Sequence, residues 1–538
     1  MARGLTFKIS IILLPLIISG FLSFLNPHQG ILSELVKNVF MLQIFAVLLS
    51  VSLFFYFLFW NDFKIVEKFI SRNQKKIVFF AVLLITVFYA GITFNQHRNF
   101  ETHAFDFAIY DRTAWHYGRL QFNYYENLIF KNKMADHFEP ILILPGIIYL
   151  IYESPYVLLG LEALIIALGF VPIYLIAKKK LKSGVAGILL GFSFVFFLGV
   201  LSAVNFPIHP GSWLATFYGF MLYFALERKF KWYYLFLCLA LLSKESAFLH
   251  LLYIGIFLAI FLKERKHGLI TISTGIIYCF FIIYLLMPGL NNGSPYVHGI
   301  YNYILDNPLN FLGDSIKTPI LSLKYLFEQG KLQTLIASLA STGFLAVLSP
   351  VFLVLVLPMF LERFLAHHSS MYTLNFHYSI PVAIMLYFST IYSICWITKK
   401  ISIKNLAVYL SAFVLLCSIT VTCVSPNNLI NYKSWKNFKL NDKHILVKEA
   451  IKQIPGGSSV LTQDTIVPHL DYSHVAGLFP DNFYKYDYIL LSKEKSYSSW
   501  PVDKETVSAE INNLISNENF TIFYQNEISV IFKNNGSY

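Results

Sequence analysis

The sequence predicts an all-α polytopic membrane protein that carries a small α/β domain at its C-terminal end. Hydrophobic residues make up 56% of the 538 positions and charged residues only 13%, about half of the charged share in a typical soluble domain. Apolar runs long enough to cross a bilayer recur over residues 1–424. Residues 425–538 return to ordinary charge density, which predicts a separate domain there.

The net charge of +12 does not indicate a nucleic-acid partner, because the basic residues lie in short clusters between apolar runs. That pattern is typical of cytoplasmic loops beside anionic lipid headgroups. The five cysteines all lie within apolar stretches without metal-ligand spacing, so we interpret them as small core residues. Membrane lipids are the partners that the composition predicts.

Most of the apolar stretches approach the roughly 20 residues needed to span a bilayer. They lie near 6–25, 39–60, 76–94, 155–177, 184–202, 213–226, 246–262, 268–287, 379–397 and 404–424. Three further regions are less regular: 140–152 and 233–243 are short, and 335–363 is broken at Ser349-Pro350, where a helical hairpin is expected. Counting 335–363 as two spans and 140–177 as one, they predict about 13 transmembrane helices.

Placing the basic clusters inside puts the N-terminus in the cytoplasm and the C-terminal domain outside the cell membrane. The long polar loops then share the outer side, at 95–139, 203–212, 288–334, 364–378 and beyond 425.

The C-terminal region predicts a small α/β domain. We expect helices near 442–454 and 504–517, strands near 458–462 and 487–492, and a hairpin of 520–525 and 528–533 that turns at Asn526-Glu527.

The first long outer loop carries two carboxylates, Asp106 and Asp111, among aromatic residues directly after a predicted span. Ionisable groups at a membrane boundary are costly unless they are paired, which makes both candidates for function. The structural alternative is that Asp106 caps the helix from Phe107 to Tyr117, while Asp111 pairs with an arginine on it. The residues alone leave both interpretations open.

The same loop ends with Asp136, His137 and Glu139 before a proline. An imidazole between two carboxylates suits either a divalent metal ion or a proton shuttle. Glu139 equally suits a structural role as the cap of the next helix. No metal ion or other cofactor is therefore assigned.

Further charged and aromatic candidates gather on the predicted outer side. Each is weak alone, but together with the carboxylates they supply a base and cations able to hold a phosphate. The candidate substrate-binding residues are Arg112, His137, Glu139, His209, Lys244, Glu245, His377 and Tyr378.

Five segments resemble, in the same order, motifs of a large polytopic family catalogued as domain of unknown function 2079. They are FDFAIYDRTAW, HFEPILILPGIIYLIYESP, the SKES turn, NFHYSIP and IPGGSSVLTQDTIVPHLDY. That family is grouped with the GT-C membrane glycosyltransferases, so the resemblance implies a GT-C-like fold. The family's usual Lys-Glu-Asp turn is here Lys244-Glu245-Ser246, which lacks the third acid.

The resemblance implies a glycosyltransferase that takes a sugar from a polyprenyl-phosphate lipid on the outer face. It places the catalytic base at Asp106, and with less support at Asp111. A carboxylate base acting in a single displacement inverts the anomeric centre. The prenyl phosphate leaves as an anion, which Lys244, with His209 or Arg112, is expected to stabilise. The sugar and the acceptor are not specified.

Two other classes fit the same composition. A transporter or flippase of a lipid-linked or anionic solute is expected to carry charges near span midpoints and broken helices in matched halves. Most mid-span positions here are apolar, and the charges gather at one boundary. A non-catalytic membrane protein whose C-terminal domain binds a partner is the third class.

Overall fold

The computed structural model describes residues 63–296, 326, 328–366, 368–425, 442–494, 497–498 and 500–536. Within them the chain is mostly helical, with one small mixed sheet near the C-terminal end. The predicted spans near 6–25 and 39–60, and most of the predicted loop 288–334, lie outside the described residues.

The α-helices follow the apolar runs of the sequence. Their bounds are Phe63–Arg98, Ile109–Gly118, Lys133–Asp136, Ile143–Tyr149, Pro155–Leu168, Phe170–Leu181, Gly184–Val195, Leu198–Asn205, Pro210–Leu226, Phe230–Leu241, Ala247–Ile260, Arg265–Cys279, Met287–Leu290, Gln329–Ser341, Leu357–Phe364, Ser369–Tyr372, Ile380–Lys400, Leu406–Val424, Asp442–Gln453 and Lys504–Ile515. Short π-helical or 3-10 turns are Ala104–Ala108, Pro140–Leu142, Phe280–Leu286, Leu345–Leu348, Phe352–Val356, His377–Ser379, Val467–His469 and Phe483–Lys485.

Five helical segments in the described part of the chain are long and apolar enough to cross a membrane. They are Lys64–Arg98, Pro155–Leu181, Arg265–Leu290, His377–Lys400 and Leu406–Val424. The helices Gly184–Val195 and Leu198–Asn205, bent by 48° at their junction, make a sixth if they are one span.

The predicted count of about 13 spans is therefore not confirmed. One physical reason is length, because Phe230–Leu241 and Ala247–Ile260 have 12 and 14 residues. At about 1.5 Å per residue such helices are shorter than a hydrocarbon core of about 30 Å. The predicted break at Ser349 is present, between the turns Leu345–Leu348 and Phe352–Val356.

Seven short strands occur in the described part of the chain. They are β1 (Tyr125–Glu126), β2 (Lys131–Asn132), β3 (Ser459–Thr462), β4 (Val475–Leu478), β5 (Tyr488–Ser492), β6 (Phe520–Gln525) and β7 (Ser529–Asn534). β1 and β2 form an antiparallel pair, and the other five form a sheet in the order β4-β3-β5-β7-β6. β3, β4 and β5 are parallel, whereas β5, β7 and β6 are antiparallel.

The C-terminal elements match the sequence prediction except for β4, which was not predicted. Helices Asp442–Gln453 and Lys504–Ile515 accompany the sheet. A buried apolar cluster joins Val447, Ile466 and Ile531 of this region to Phe100 and Ala104, which follow the first described helix. The sheet therefore packs directly on the segment that carries the first candidate carboxylate.

Candidate functional site

Asp106 lies in the turn Ala104–Ala108, between helices Phe63–Arg98 and Ile109–Gly118. Phe107 and Ala108 beside it are buried and anchor the turn in the core. The Asp106 side chain is 38% exposed. The turn therefore holds a carboxylate at the edge of the core, where a ligand can reach it.

His209 is the direct partner of Asp106. Its Nε2 lies 2.9 Å from Asp106 Oδ2, and its Nδ1 lies 3.1 Å from the carbonyl oxygen of Phe206. Both ring nitrogens thus face acceptors, and only the doubly protonated imidazolium donates to both. The backbone N–H of His209 donates to Glu162 Oε1 at 2.9 Å, which fixes the start of helix Pro210–Leu226.

The environment keeps Asp106 ionised. The surrounding protein atoms displace water and by themselves raise the pKa of Asp106, but the hydrogen bond and charge of His209 outweigh them. The charges of His137 and Lys244 act in the same direction as His209. The pKa of Asp106 is therefore lowered below the ordinary value of an aspartate.

His377 and Tyr378 extend the site from the start of helix Ile380–Lys400. The imidazole of His377 stacks on that of His209, with ring centroids 3.4 Å apart. The ring of Tyr378 lies 3.9 Å from that of His377. Residues from three distant parts of the sequence therefore meet at Asp106.

A second group of charges centres on Glu139, which is buried. Lys133 Nζ lies 2.9 Å from Glu139 Oε2, and Lys244 Nζ lies 3.0 Å from Glu139 Oε1. Burial raises the pKa of Glu139, but the two lysines reverse the effect and lower it. Burial lowers the pKa of Lys244, and Glu139 with Glu245 raises it above the ordinary lysine value. One carboxylate thus holds two charged lysines together.

Glu245 completes this group. Its carboxylate accepts hydrogen bonds from the backbone N–H of Phe138 at 3.1 Å and the hydroxyl of Tyr296 at 2.9 Å, and it faces His137 Nδ1 at 2.9 Å. Burial raises the pKa of Glu245, but Lys244 and His137 lower it well below the ordinary value. The Lys244-Glu245 turn and the segment ending at Glu139 are therefore locked together.

Asp111 and Arg112 lie in a different environment, against the C-terminal region. Asp111 accepts hydrogen bonds from the hydroxyls of Tyr149 and Tyr472, the latter at 2.8 Å. The Arg112 guanidinium donates to the carbonyl oxygens of His474 at 2.7 Å and Asp471 at 3.1 Å. These contacts join helix Ile109–Gly118 to the loop before β4.

Burial makes Asp111 unlike Asp106. Loss of hydration raises the pKa of Asp111 to about 6, although the two tyrosines and Arg112 oppose the rise. Asp111 is 4% exposed, whereas Asp106 is 38% exposed. Of the two predicted catalytic carboxylates, only Asp106 combines exposure with a lowered pKa.

Three residues of the site were not predicted. Lys133 is the second lysine on Glu139, and Glu162 is a buried acid within span Pro155–Leu181. Asp464, which follows β3, accepts a hydrogen bond from the backbone N–H of Ala104 and contacts His103. An acidic residue inside an apolar run is a signal for Glu162. The sequence carries no comparable signal for Lys133.

A polar cavity of about 250 Å³ opens beside Asp106, lined also by Gln96, Glu101, His103 and Asn205. No group of three or more His, Cys, Asp or Glu side chains suited to a metal ion occurs among the described residues. His137, a predicted metal candidate, instead faces Glu245 and Asp136, at 2.9 and 4.0 Å.

Comparison with known proteins identifies one family. The model of the family described as "Predicted membrane protein (DUF2079)" matches residues 96–530. A search of curated proteins found no match. The matched range includes Asp106, His209, Lys244 and Asp464, and it covers most of the chain. The chain therefore belongs to the DUF2079 family of predicted membrane proteins.

Proposed function

We propose that the protein is a membrane glycosyltransferase that moves a sugar from a polyprenyl-phosphate donor to an acceptor hydroxyl. The observation that carries the proposal is the Asp106–His209 pair at the edge of a polar cavity. Asp106 acts as general base, and the single displacement inverts the anomeric centre. The GT-C resemblance supports the same assignment.

An ionised carboxylate of low pKa is a weak base, but it suits this reaction. The acceptor hydroxyl becomes strongly acidic once its oxygen begins to bond to the anomeric carbon, so proton transfer to Asp106 then becomes favourable. His209 holds the carboxylate in place through the 2.9 Å contact. The proton leaves the hydroxyl, and the bond from the anomeric carbon to the phosphate oxygen breaks.

The leaving prenyl phosphate carries the developing negative charge. Lys244 is 16% exposed and is charged because Glu139 and Glu245 raise its pKa. Glu139 lies between Lys244 and Lys133, and Glu245 Oε1 lies 3.8 Å from Lys244 Nζ, so Lys244 is the partly exposed cation of a network of two carboxylates and two lysines. We assign Lys244 to the phosphate, since charge-assisted bonds in a partly dry site stabilise such anions.

A lipid donor explains why the site belongs to a membrane protein. Helices able to span a bilayer lead directly to it, because Arg98 ends one and His377 begins another. We place the site and the C-terminal region on the extracytoplasmic side, following the distribution of basic clusters in the sequence.

The test compares cells that produce the protein, Asp106→Ala, or no protein, by mass spectrometry of their lipid-linked sugars. We expect a polyprenyl-phosphate sugar to be consumed only with the unaltered protein, while Asp106→Ala stays folded and inserted. Glu153→Gln is the control, because Glu153 is an exposed carboxylate paired with Arg119. Consumption that persists with Asp106→Ala would remove the catalytic assignment.

A transporter or flippase is the second candidate, favoured by buried Glu162 within a span and by the 48° bend between two apolar helices. Glu162 nevertheless contacts His209 and so belongs to the same site as Asp106. A flippase moves its lipid without breaking the sugar–phosphate bond, so an unchanged lipid that changes leaflet would identify this class.

A further inference from the structure

The cavity beside Asp106 has a lining that disfavours anions. Its volume is about 250 Å³, slightly below the roughly 300–1,000 Å³ of sites for drug-sized ligands. Glu101 and Asp106 contribute carboxylates, and the lining residues of the described chain include no lysine or arginine. Phe105 and Phe206 contribute aromatic rings. Such a lining suits a small uncharged molecule with hydroxyl groups and apolar C–H faces.

One residue that lines the cavity, Gln96, has a polar atom without a partner among the described residues. Gln96 is only 9% exposed, and its Nε2 donates to the backbone oxygen and Oδ1 of Asn205 at 3.0 and 2.8 Å. These two bonds fix the orientation of the amide. Gln96 Oε1 is buried without a hydrogen-bond partner among the described residues, and a buried acceptor in that state is costly. Gln96 thus contributes a polar group with an open hydrogen-bonding position to the residues that line the cavity.

The C-terminal region holds one residue of the cavity wall, His103, in position. The side chain of His103 is 43% exposed, and its Nδ1 lies 2.6 Å from Oδ2 of the buried Asp464. Asp464 Oδ1 accepts the backbone N–H of Ala104 at 2.9 Å. Asp464 thus fixes both the ring of His103 and the start of the turn that carries Asp106, and it leaves Nε2 of His103 to a ligand.

The position of Asp464 in the sheet supports this interpretation. It follows the carboxyl end of β3, which is the central strand of the parallel part of the sheet. Ligands of such sheets bind outside the carboxyl ends of the strands. Here that edge contacts Ala104, so the C-terminal region packs against the segment that carries the lining residues His103 and Phe105.

We propose that this cavity is the acceptor site, that it takes an uncharged polyol or sugar, and that Asp464 is a positioning residue that orients His103 toward it. The role as an acceptor site rests on the proposed function, because Asp106, the proposed base, lines the same cavity. His103 and Gln96 hydrogen-bond the acceptor, and a phosphorylated acceptor is rejected by Glu101 and Asp106.

The pH dependence of ligand binding reports the charge state of His103. A merely structural role of Asp464 would leave this pH dependence unchanged. The hydrogen bond that His103 donates to Asp464 raises the pKa of His103, burial opposes the rise, and the charges of Asp464, Asp106 and Glu101 add to it. Protonated His103 is the better donor to a hydroxyl oxygen. Without the charge of Asp464 the pKa of His103 is lower. As the pH is raised, binding is therefore lost at a lower pH than in the unaltered protein.

The experiment measures ligand binding by full-length protein in nanodiscs through tryptophan fluorescence. Trp500 is a suitable reporter, since its ring lies 5.4 Å from that of Phe105 in the cavity wall. The probes are glycerol, myo-inositol and methyl mannoside, each against its phosphorylated counterpart. The variants are His103→Gln and Asp464→Asn. The control is Asp487→Asn, which removes a carboxylate bonded to Ser459 at the other end of β3.

We expect an uncharged probe to bind, with Kd raised about tenfold in His103→Gln and Asp464→Asn, the effect of losing about one hydrogen bond. The pH midpoint of binding should fall in Asp464→Asn and stay constant in Asp487→Asn. The inference is wrong if no uncharged probe binds, if the phosphorylated probes bind more tightly, or if Asp464→Asn behaves like Asp487→Asn. Binding without any consumption of lipid-linked sugar contradicts the transferase proposal and the acceptor role, and it leaves the cavity as a site for an uncharged polyol or sugar.

Discussion

The Asp106 carboxylate and the His209 imidazole meet at 2.9 Å although 103 positions separate them in the sequence. One follows the first described span, and the other begins helix Pro210–Leu226. His209 is itself held from three sides, by Glu162 at its backbone, by Phe206 at Nδ1 and by the stacked ring of His377. Because His209 is held in this way, the Asp106 carboxylate that it contacts has a fixed orientation toward the cavity.

Replacing His209 with glutamine is expected to shift the acid limb of the pH–rate profile upward. The amide of glutamine still donates to Asp106 but carries no charge, so the pKa of Asp106 rises. If Asp106 is the base of the proposed transfer, it works only when ionised, and the unaltered protein should stay active to below about pH 4, the ordinary range of aspartate. His209→Gln should lose activity at a higher pH. The check is kcat measured from pH 3 to 8, and an unmoved acid limb would contradict the assignment.

Lys244→Gln is expected to raise KM for the polyprenyl-phosphate donor by about tenfold or more, because a charge-assisted contact to phosphate is lost. KM for the acceptor should change little. Glu139 keeps Lys133 as a partner at 2.9 Å in the variant, so the fold should persist.

Lys179→Gln is the matched control, since Lys179 forms an exposed pair with Glu227 at 2.6 Å. Exposed pairs contribute only about 0–1 kcal/mol to stability. If Lys244→Gln lowers the thermal unfolding midpoint without changing donor KM, Lys244 is a structural residue.

The sequence locates the helices well, but it does not predict how many of them cross the membrane. Hydropathy and charge clusters locate the apolar runs, and the elements after residue 442 follow from local periodicity and turn residues. Whether a short helix such as Phe230–Leu241 crosses the membrane depends on its tilt and neighbours, which no local pattern contains. β4 was not predicted because Val475–Leu478 contains a glycine, Gly477, which weakens the local strand pattern.

The sequence predicts which residues form the site, but it does not predict which of them contact one another. Asp106, His209 and Lys244 are polar residues at the ends of apolar runs, which is a local signal. Tertiary packing alone brings Glu162 to the backbone of His209. It also brings Asp464 to Ala104 across 360 positions. Asp111 is a catalytic candidate by sequence because it shares a motif with Asp106, whereas its contacts with Tyr149 and Tyr472 depend on the fold.

Asp111→Asn is expected to change how stability depends on pH while leaving sugar transfer intact. Burial raises the pKa of Asp111 to about 6, so between about pH 4 and 6 the folded protein binds a proton that the unfolded chain has released. Stability should therefore fall as pH rises through that window, by up to roughly 3 kcal/mol.

The asparagine variant cannot ionise, so this decline should disappear from thermal unfolding midpoints measured from pH 4 to 7. At pH 4, where Asp111 is also uncharged in the folded protein, we expect a difference within about 1 kcal/mol, because one tyrosine hydroxyl must find another partner. Loss of transfer in a folded Asp111→Asn protein would restore Asp111 as a catalytic candidate.

Gly146→Ala is expected to destabilise the packing beneath Asp111, where two helices touch backbone to backbone. A Cβ at Gly146 would lie 2.3 Å from the carbonyl oxygen of Ala114 and 2.6 Å from the amide nitrogen of Gly118. Rigid backbone cannot yield as a flexible side chain does, so we expect a loss of about 1–3 kcal/mol. Gly91→Ala is the control, because a Cβ there meets nothing within 4 Å and alanine favours a helix by roughly 1 kcal/mol. Thermal unfolding midpoints should fall for Gly146→Ala and hold or rise for Gly91→Ala; equal midpoints would show that helix Ile109–Gly118 can move away without cost.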